Sequence, residues 1–191
     1  GEDELLGGGG VGDQLWGGAD DDILRGSDDG ADILYGEAGR DRLYGNGGND
    51  HLFGGADDDI LEGNAGDDLL EGGTDSDVLL GGAQHDVLYG HSLSGAGDDD
   101  TADWLYGDFG TNGDEAGSGR DQLFGQGGND LLFGEGGDDL IVLLGGAGNG
   151  FNQSEAGGGT SKIVDFGSGD GTTPGNFVAS AVPLKPTPIV T

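Results

Sequence analysis

"GNGGNDHLFGGADDDILEGNAGDDLLEGG", Gly45 to Gly73, consists mostly of glycine and acidic residues, yet it keeps time. Leu52, Leu61 and Leu70 are nine residues apart, and so are Asp50, Asp59 and Asp68. A solvated acidic spacer has no physical reason to hold such a phase, whereas a stacked repeat does. Outward from this stretch, an aspartate followed two residues later by Leu or Ile recurs at Asp3, Asp13, Asp22, Asp32, Asp41, Asp50, Asp59, Asp68, Asp77, Asp86, Asp103, Asp121, Asp130 and Asp139. The intervals are 10, 9, 10, 9, 9, 9, 9, 9, 9, 17, 18, 9 and 9 residues.

Composition sharpens the problem. The 191 residues include 48 glycines, each costly to order. Asp and Glu total 38 against 6 Lys and Arg, a formal net charge of −32. That charge opposes compaction and excludes a basic face for nucleic acid or anionic lipid. There is no cysteine to cross-link the fold. The longest apolar run, Leu140 to Leu144, is far too short for membrane insertion by a helix. With no initiator methionine and a start partway through a repeat, the chain reads as a piece of something longer.

The unit is G-G-x-G-x-D-x-L-x, nearly whole in "GQGGNDLLF", Gly125–Phe133. It resembles the calcium-binding nonapeptide of the repeats-in-toxin (RTX) family, and the resemblance covers about residues 3 to 142. It implies an all-β fold, a right-handed parallel β-roll. Physics agrees. Gly, Asp and Asn tolerate the positive φ of a tight six-residue turn. Three residues such as His51, Leu52 and Phe53 make a short strand whose middle leucine points inward. Two repeats close one flattened coil, and coils stack about 4.8 Å apart. The leucine core is thin, so a further source of stability is needed.

Stacking sets alternate repeats over one another: Asp32 over Asp13, Asp41 over Asp22, Asp50 over Asp32, Asp59 over Asp41, Asp68 over Asp50, Asp77 over Asp59 and Asp86 over Asp68. Bare carboxylates so close repel, and cations between them reverse the sign. Oxygen ligands from carboxylates and turn carbonyls suit Ca²⁺ better than Mg²⁺. The resemblance implies several Ca²⁺ ions between coils. The expected metal ligands are Asp13, Asp22, Asp32, Asp41, Asp50, Asp59, Asp68, Asp77, Asp86, Asp103, Asp121, Asp130 and Asp139. Asp20, Asp57 and Gln84 stand where the repeat has glycine, and positive φ strains Gln84. Asp21, Asp58, Asp67 and Asp138 could add ligands, but read first as solvated turn residues.

Irregular insertions are expected at about 90–97 and 107–116. The 18-residue interval from Asp103 to Asp121 equals one full coil, with Gly107 to Ala116 bulging from it. "GHSLS", Gly90–Ser94, approaches a nucleophile elbow around Ser92. It lacks the final glycine, the preceding sheet strand and a distant His–Asp pair, so it reads as a surface loop. Zinc and phosphate-loop patterns are absent from the sequence, and the outward positions lack the Thr/Asn array of an ice-binding face. No catalytic residues or organic cofactor are expected.

The roll spans 1–142. Residues 143–171 hold a degenerate repeat and "SKIVDF", Ser161–Phe166, a C-terminal capping strand, since a solenoid end needs one. Residues 172–191, rich in Pro and Thr, read as a tail or linker. Outward positions on one wall carry Trp16, Tyr35, Phe53, Glu71 and Tyr89, an aromatic stripe open to self-association or contact with a neighbouring domain. The resemblance implies a calcium-binding structural module of a secreted or cell-surface bacterial protein that folds after export. The alternatives are a self-assembling surface-layer or filament protein and the noncatalytic C-terminal region of a secreted protease or lipase.

Overall fold

Each D-x-L tripeptide becomes the start of a strand in the computed structural model. It describes residues 1–93, 101–108, 119–128, 130–135 and 137–142, and by backbone alone 143, 150–152 and 162–165. The strands are β1 (Glu4–Leu6), β2 (Gln14–Ala19), β3 (Ile23–Arg25), β4 (Ile33–Ala38), β5 (Arg42–Gly47), β6 (His51–Ala56), β7 (Ile60–Ala65) and β8 (Leu69–Thr74). They continue with β9 (Val78–Ala83), β10 (Val87–Tyr89), β11 (Trp104–Tyr106), β12 (Gln122–Phe124), β13 (Leu131–Phe133), β14 (Leu140–Leu143), β15 (Gly150–Asn152) and β16 (Lys162–Asp165). Among the described residues there is no helix.

Odd-numbered strands form one parallel sheet and even-numbered strands the other, each in chain order. The chain therefore alternates walls and winds a β-solenoid of about seven coils. Register is leucine on leucine: Leu15, Leu34, Leu52, Leu70, Leu88 and Leu123 stack in one wall, Leu5, Leu24, Leu43, Leu61, Leu79, Leu105 and Leu132 in the other. From Leu24 to Ile141 these side chains are fully buried and form the central core cluster of the described residues. Each contributes roughly 1.5–3 kcal/mol of burial. Leu5 and Leu15, in the first coil, are only partly covered.

Six-residue strands are longer than the three-residue segments expected. Coils of equal length put each turn residue over its counterpart, so the ladder continues into the turns, as in Gly48 N–H donating to Ala65 O at 2.9 Å.

The interval from Asp103 to Asp121 is not a full coil. A full coil would return β12 to the wall of β11, but β12 pairs with β10 across the roll. Both long intervals are half coils lengthened by insertions. β11 lands on β9 and β12 on β10, so the alternation of walls survives. Gly90 and Gly107 still donate to the ladder, to Phe124 O and Phe133 O at 2.9 and 2.8 Å, so the extra residues enter after them. Asn112, Asp114 and Ser94 lie outside the described residues, as do 166–191. β16, which contains the Ile163-Val164 pair of "SKIVDF", runs parallel to β14.

Candidate metal centre

The aspartates form two files, one along each edge of the roll. Asp3, Asp22, Asp41, Asp59, Asp77, Asp103 and Asp130 enter the strands of the odd sheet. Asp13, Asp32, Asp50, Asp68, Asp86, Asp121 and Asp139 enter those of the even sheet. All from Asp22 onward are at most 2 % exposed. Each expected stacking pair is present as a hydrogen bond. The N–H of one aspartate donates to Oδ1 of the aspartate one coil on: Asp13 to Asp32 at 2.6 Å, Asp22 to Asp41, Asp32 to Asp50 and Asp41 to Asp59 at 2.8 Å. The files run on through Asp77 to Asp103, Asp86 to Asp121, Asp103 to Asp130 and Asp121 to Asp139 at 2.9 to 3.1 Å.

The second carboxylate oxygen behaves differently. Oδ2 of Asp13, Asp22, Asp41, Asp50, Asp59, Asp68, Asp77, Asp86 and Asp121 is buried with no hydrogen-bond partner. A buried acceptor left without a donor costs about 1–3 kcal/mol, more if charged. Repetition of that cost in turn after turn marks a missing positive partner.

The turns leave room for a close approach. A Cβ on Gly17 would fall 2.8 Å from Asp22 Oδ2 and 2.9 Å from the carbonyl oxygen of Gly36 in the next coil. The same convergence recurs at Gly36, Gly45, Gly54, Gly63, Gly72 and Gly81. Only a residue without a side chain brings a carboxylate oxygen and a carbonyl oxygen of the next coil so close together. Among the described residues no three acidic or imidazole side chains gather at one point, so the remaining donors must be backbone carbonyls. An oxygen-only set of one or two carboxylates and several carbonyls fits a hard cation such as Ca²⁺.

Burial is the main cause of raised carboxyl pKa values. It pushes Asp41 and Asp50 to about 6, Asp68 to about 7, Asp59 and Asp121 to about 8, and Asp77 and Asp86 to about 9. The backbone hydrogen bond to each lowers the value, and the charge of neighbouring aspartates raises it further. Without a cation these groups resist ionisation.

Asp32 departs from its neighbours. Its Oδ2 accepts from the N–H of Ser27 at 2.6 Å and from Ser27 Oγ at 3.1 Å. The turn before it is one residue longer, and the serine after Gly26 takes up the oxygen. The ten-residue interval does not by itself announce this, since the ten residues from Asp3 to Asp13 leave Asp13 Oδ2 without a partner. Asp20, Asp57 and Gln84 do adopt positive φ, of 80°, 78° and 83°. Asp21, Asp58 and Asp67 are exposed, as expected, and they also cap the next coil: their Oδ1 atoms accept from the N–H of Arg40 at 3.0 Å, Ser76 at 3.3 Å and His85 at 3.1 Å. That outer file was not read from the sequence.

The outward rings stack as expected. Trp16–Tyr35 and Tyr35–Phe53 lie 5.6 and 4.9 Å apart and within 10° of parallel. Tyr89–Phe124 continues the stripe beyond Glu71, and Tyr106–Phe133 stacks on the other wall.

The model of the RTX calcium-binding nonapeptide repeat matches the chain in four copies, at residues 1–29, 27–61, 62–101 and 115–151. No curated protein matches the chain.

Proposed function

Because the chain belongs to the RTX calcium-binding nonapeptide-repeat family, we propose that it is the structural module of an exported, extracellular or cell-surface bacterial protein that folds when Ca²⁺ enters its two aspartate files. One observation carries this reading. Buried Oδ2 atoms without donors recur coil after coil, and from Asp22 to Asp121 they lie beside a glycine carbonyl of the next coil. In a chain of net charge −32 the ions supply both the missing partners and the missing positive charge. Asp13, Asp22, Asp41, Asp50, Asp59, Asp68, Asp77, Asp86, Asp103, Asp121, Asp130 and Asp139 are the proposed carboxylate ligands, and Asp32 is a weaker one because Ser27 competes for its oxygen. Calcium-poor cytosol leaves such a chain unfolded for export, and extracellular calcium folds it. The roll itself catalyses nothing.

The test is a calcium titration of chelated protein followed by far-UV circular dichroism. Coil converts to β-structure at roughly millimolar to submillimolar calcium, the range of extracellular modules. A chain equally folded in excess chelator sinks the proposal.

A second reading has its own observation. Trp16, at the end of the aromatic stripe, is 50 % exposed. It gives a second roll or a neighbouring domain an apolar anchor, whereas Tyr35, Phe53, Tyr89 and Phe124 are half-buried and shield their own strands.

A further inference from the structure

One turn holds a side chain where its counterparts hold none. In the 18-residue register His91 follows Gly18, Glu37, Gly55 and Gly73, and Gln126 comes after it. Every other member of that column has left-handed backbone, with φ between 67° and 129°, and His91 does not. The backbone thus turns differently at His91, and the imidazole goes inward. Its side chain is 0 % exposed, whereas Glu37 at the equivalent place is exposed.

The imidazole lies between two coils. Nδ1 is 2.7 Å from the carbonyl oxygen of Gly73, in the turn that leads to Asp77. A carbonyl only accepts, so Nδ1–H donates and the tautomer is fixed. Nε2 is 4.0 Å from Oδ2 of Asp103, the repeat aspartate of the next coil. Asp77 and Asp103 are themselves stacked, Asp77 N–H donating to Asp103 Oδ1 at 3.0 Å. The ring therefore hydrogen-bonds a turn carbonyl of one coil and faces the carboxylate of the next, to which it pairs only as the imidazolium. Asp103 Oδ2 keeps the glycine and carbonyl neighbours, Gly90 and Gly125 O, that the other aspartates of the files have.

The segment is held there from both neighbouring coils. His91 N–H donates to Gln126 Oε1 at 2.9 Å, and Gln126 Nε2 donates to Ser92 O at 2.9 Å. Leu93 N–H donates to Glu71 Oε2 at 2.8 Å. These contacts also account for Glu71 in an otherwise aromatic stripe.

We propose that the His91 imidazole takes the place of one calcium ion, the one between Asp77 and Asp103, so that this position in an otherwise regular file is closed to metal. The proposal rests on the calcium reading above. It makes His91 a residue that sets how many ions the module binds, and it divides one file into two runs at the first insertion.

The experiment counts bound calcium per folded chain, by elemental analysis after equilibrium dialysis in saturating calcium, for wild type and His91→Gly. The variant gains one calcium per chain. Equal counts overturn the proposal while leaving the calcium reading intact. A wild type that binds no calcium overturns both. Should His91→Gly fail to fold, the wild type decides alone, through modification by diethyl pyrocarbonate in saturating calcium. His51 and His85 are exposed and react. His91 stays protected if the ring holds the position, and its reaction at the rate of the other two shows that the ion has expelled it.

Discussion

From Asp13 to Tyr89 the roll repeats itself almost residue for residue, whereas from Gly90 to Leu143 it keeps the same columns but changes the turns. In the first region strands β4 to β9 are six residues long, and their ladders run into the turns. In the second, β11 to β13 have three residues and β14 four; β3 and β10, at the margins of the first, also have three. Yet Leu105 stacks on Leu79 across 26 residues as Leu79 stacks on Leu61 across 18, and all three are fully buried. Register therefore depends on the leucine and aspartate columns and not on turn length. Loop closure grows only slowly with length, so eight or nine extra residues cost little. The turns decide something else, namely what stands beside each aspartate.

The sharpest way to break this comparison is to remove one aspartate from each region. Asp59→Ala and Asp103→Ala each delete an Oδ1 acceptor and strand a buried N–H, that of Asp41 or Asp77. Their folded-state losses through hydrogen bonding are alike. They differ in metal. On the two proposals above, Asp59 would face calcium positions towards both Asp41 and Asp77, and Asp103 would face one, towards Asp130, because His91 would fill the other. Asp59→Ala raises the calcium midpoint on the order of tenfold or more, about 1.4 kcal/mol, and Asp103→Ala raises it several-fold less. Equal shifts in a circular dichroism titration would show that the two regions bind calcium alike.

Acidity offers a gentler probe. Buried carboxyls with native pKa values raised to between about 6 and about 9 bind more protons in the roll than in the unfolded chain. The contribution of these groups to the metal-free roll is therefore fully present only below the ordinary aspartate value of 3.8. The roll loses stability as pH rises through the native values. Asp77 and Asp86, pushed to about 9 beside the first insertion, lose more by neutral pH than Asp41 and Asp50 at about 6. In chelator, β-signal present near pH 5 fades towards pH 8, and hydrogen exchange shows the coils around Asp77 and Asp86 opening first. A metal-free chain that gains structure as pH rises contradicts the burial of these groups.

Most of this architecture is legible in the sequence because a solenoid is nearly one-dimensional. A residue meets its counterpart one coil away, so spacing alone brought Asp41 under Asp59 and Tyr35 beside Phe53. Reading failed where spacing is ambiguous. Eighteen residues from Asp103 to Asp121 equal two repeats, and also one repeat plus a nine-residue insertion, and only the pairing of β12 with β10 separates them. The buried place of His91 was equally hidden. Its direction follows from a single φ that leaves the left-handed region, and no pattern of residue types encodes that. Ser27 was missed because one serine in one lengthened turn sets no pattern. The outer file of Asp21, Asp58 and Asp67, although each precedes a repeat aspartate, was missed because residue type does not separate a cap on the next coil from a solvated carboxylate.

The smallest expected effect lies on the border between the regions. Gly30, Gly48, Gly66, Gln84, Gly119 and Gly137 occupy equivalent places in successive turns of one edge. A Cβ on Gly66 would lie far inside contact distance of the carbonyl of Gly48, and one on Gly119 would meet the carbonyl of Gln84 in the same way. Gln84 breaks this column of glycines with φ of 83°, a conformation that costs an L-residue about 1–2 kcal/mol. Gln84→Gly relieves that strain but adds freedom to the unfolded chain, worth roughly 0.4–1 kcal/mol in the other direction. The net gain is about 0.5–1 kcal/mol, read as a higher midpoint of urea unfolding in saturating calcium. Gly66→Ala, on the regular side, loses more than Gln84→Gly gains, because it meets both the φ cost and the carbonyl of Gly48. If Gln84→Gly instead destabilises by 1 kcal/mol or more, the glutamine side chain is holding the first turn of the interrupted region in place. The border would then lie one turn earlier than the insertions put it.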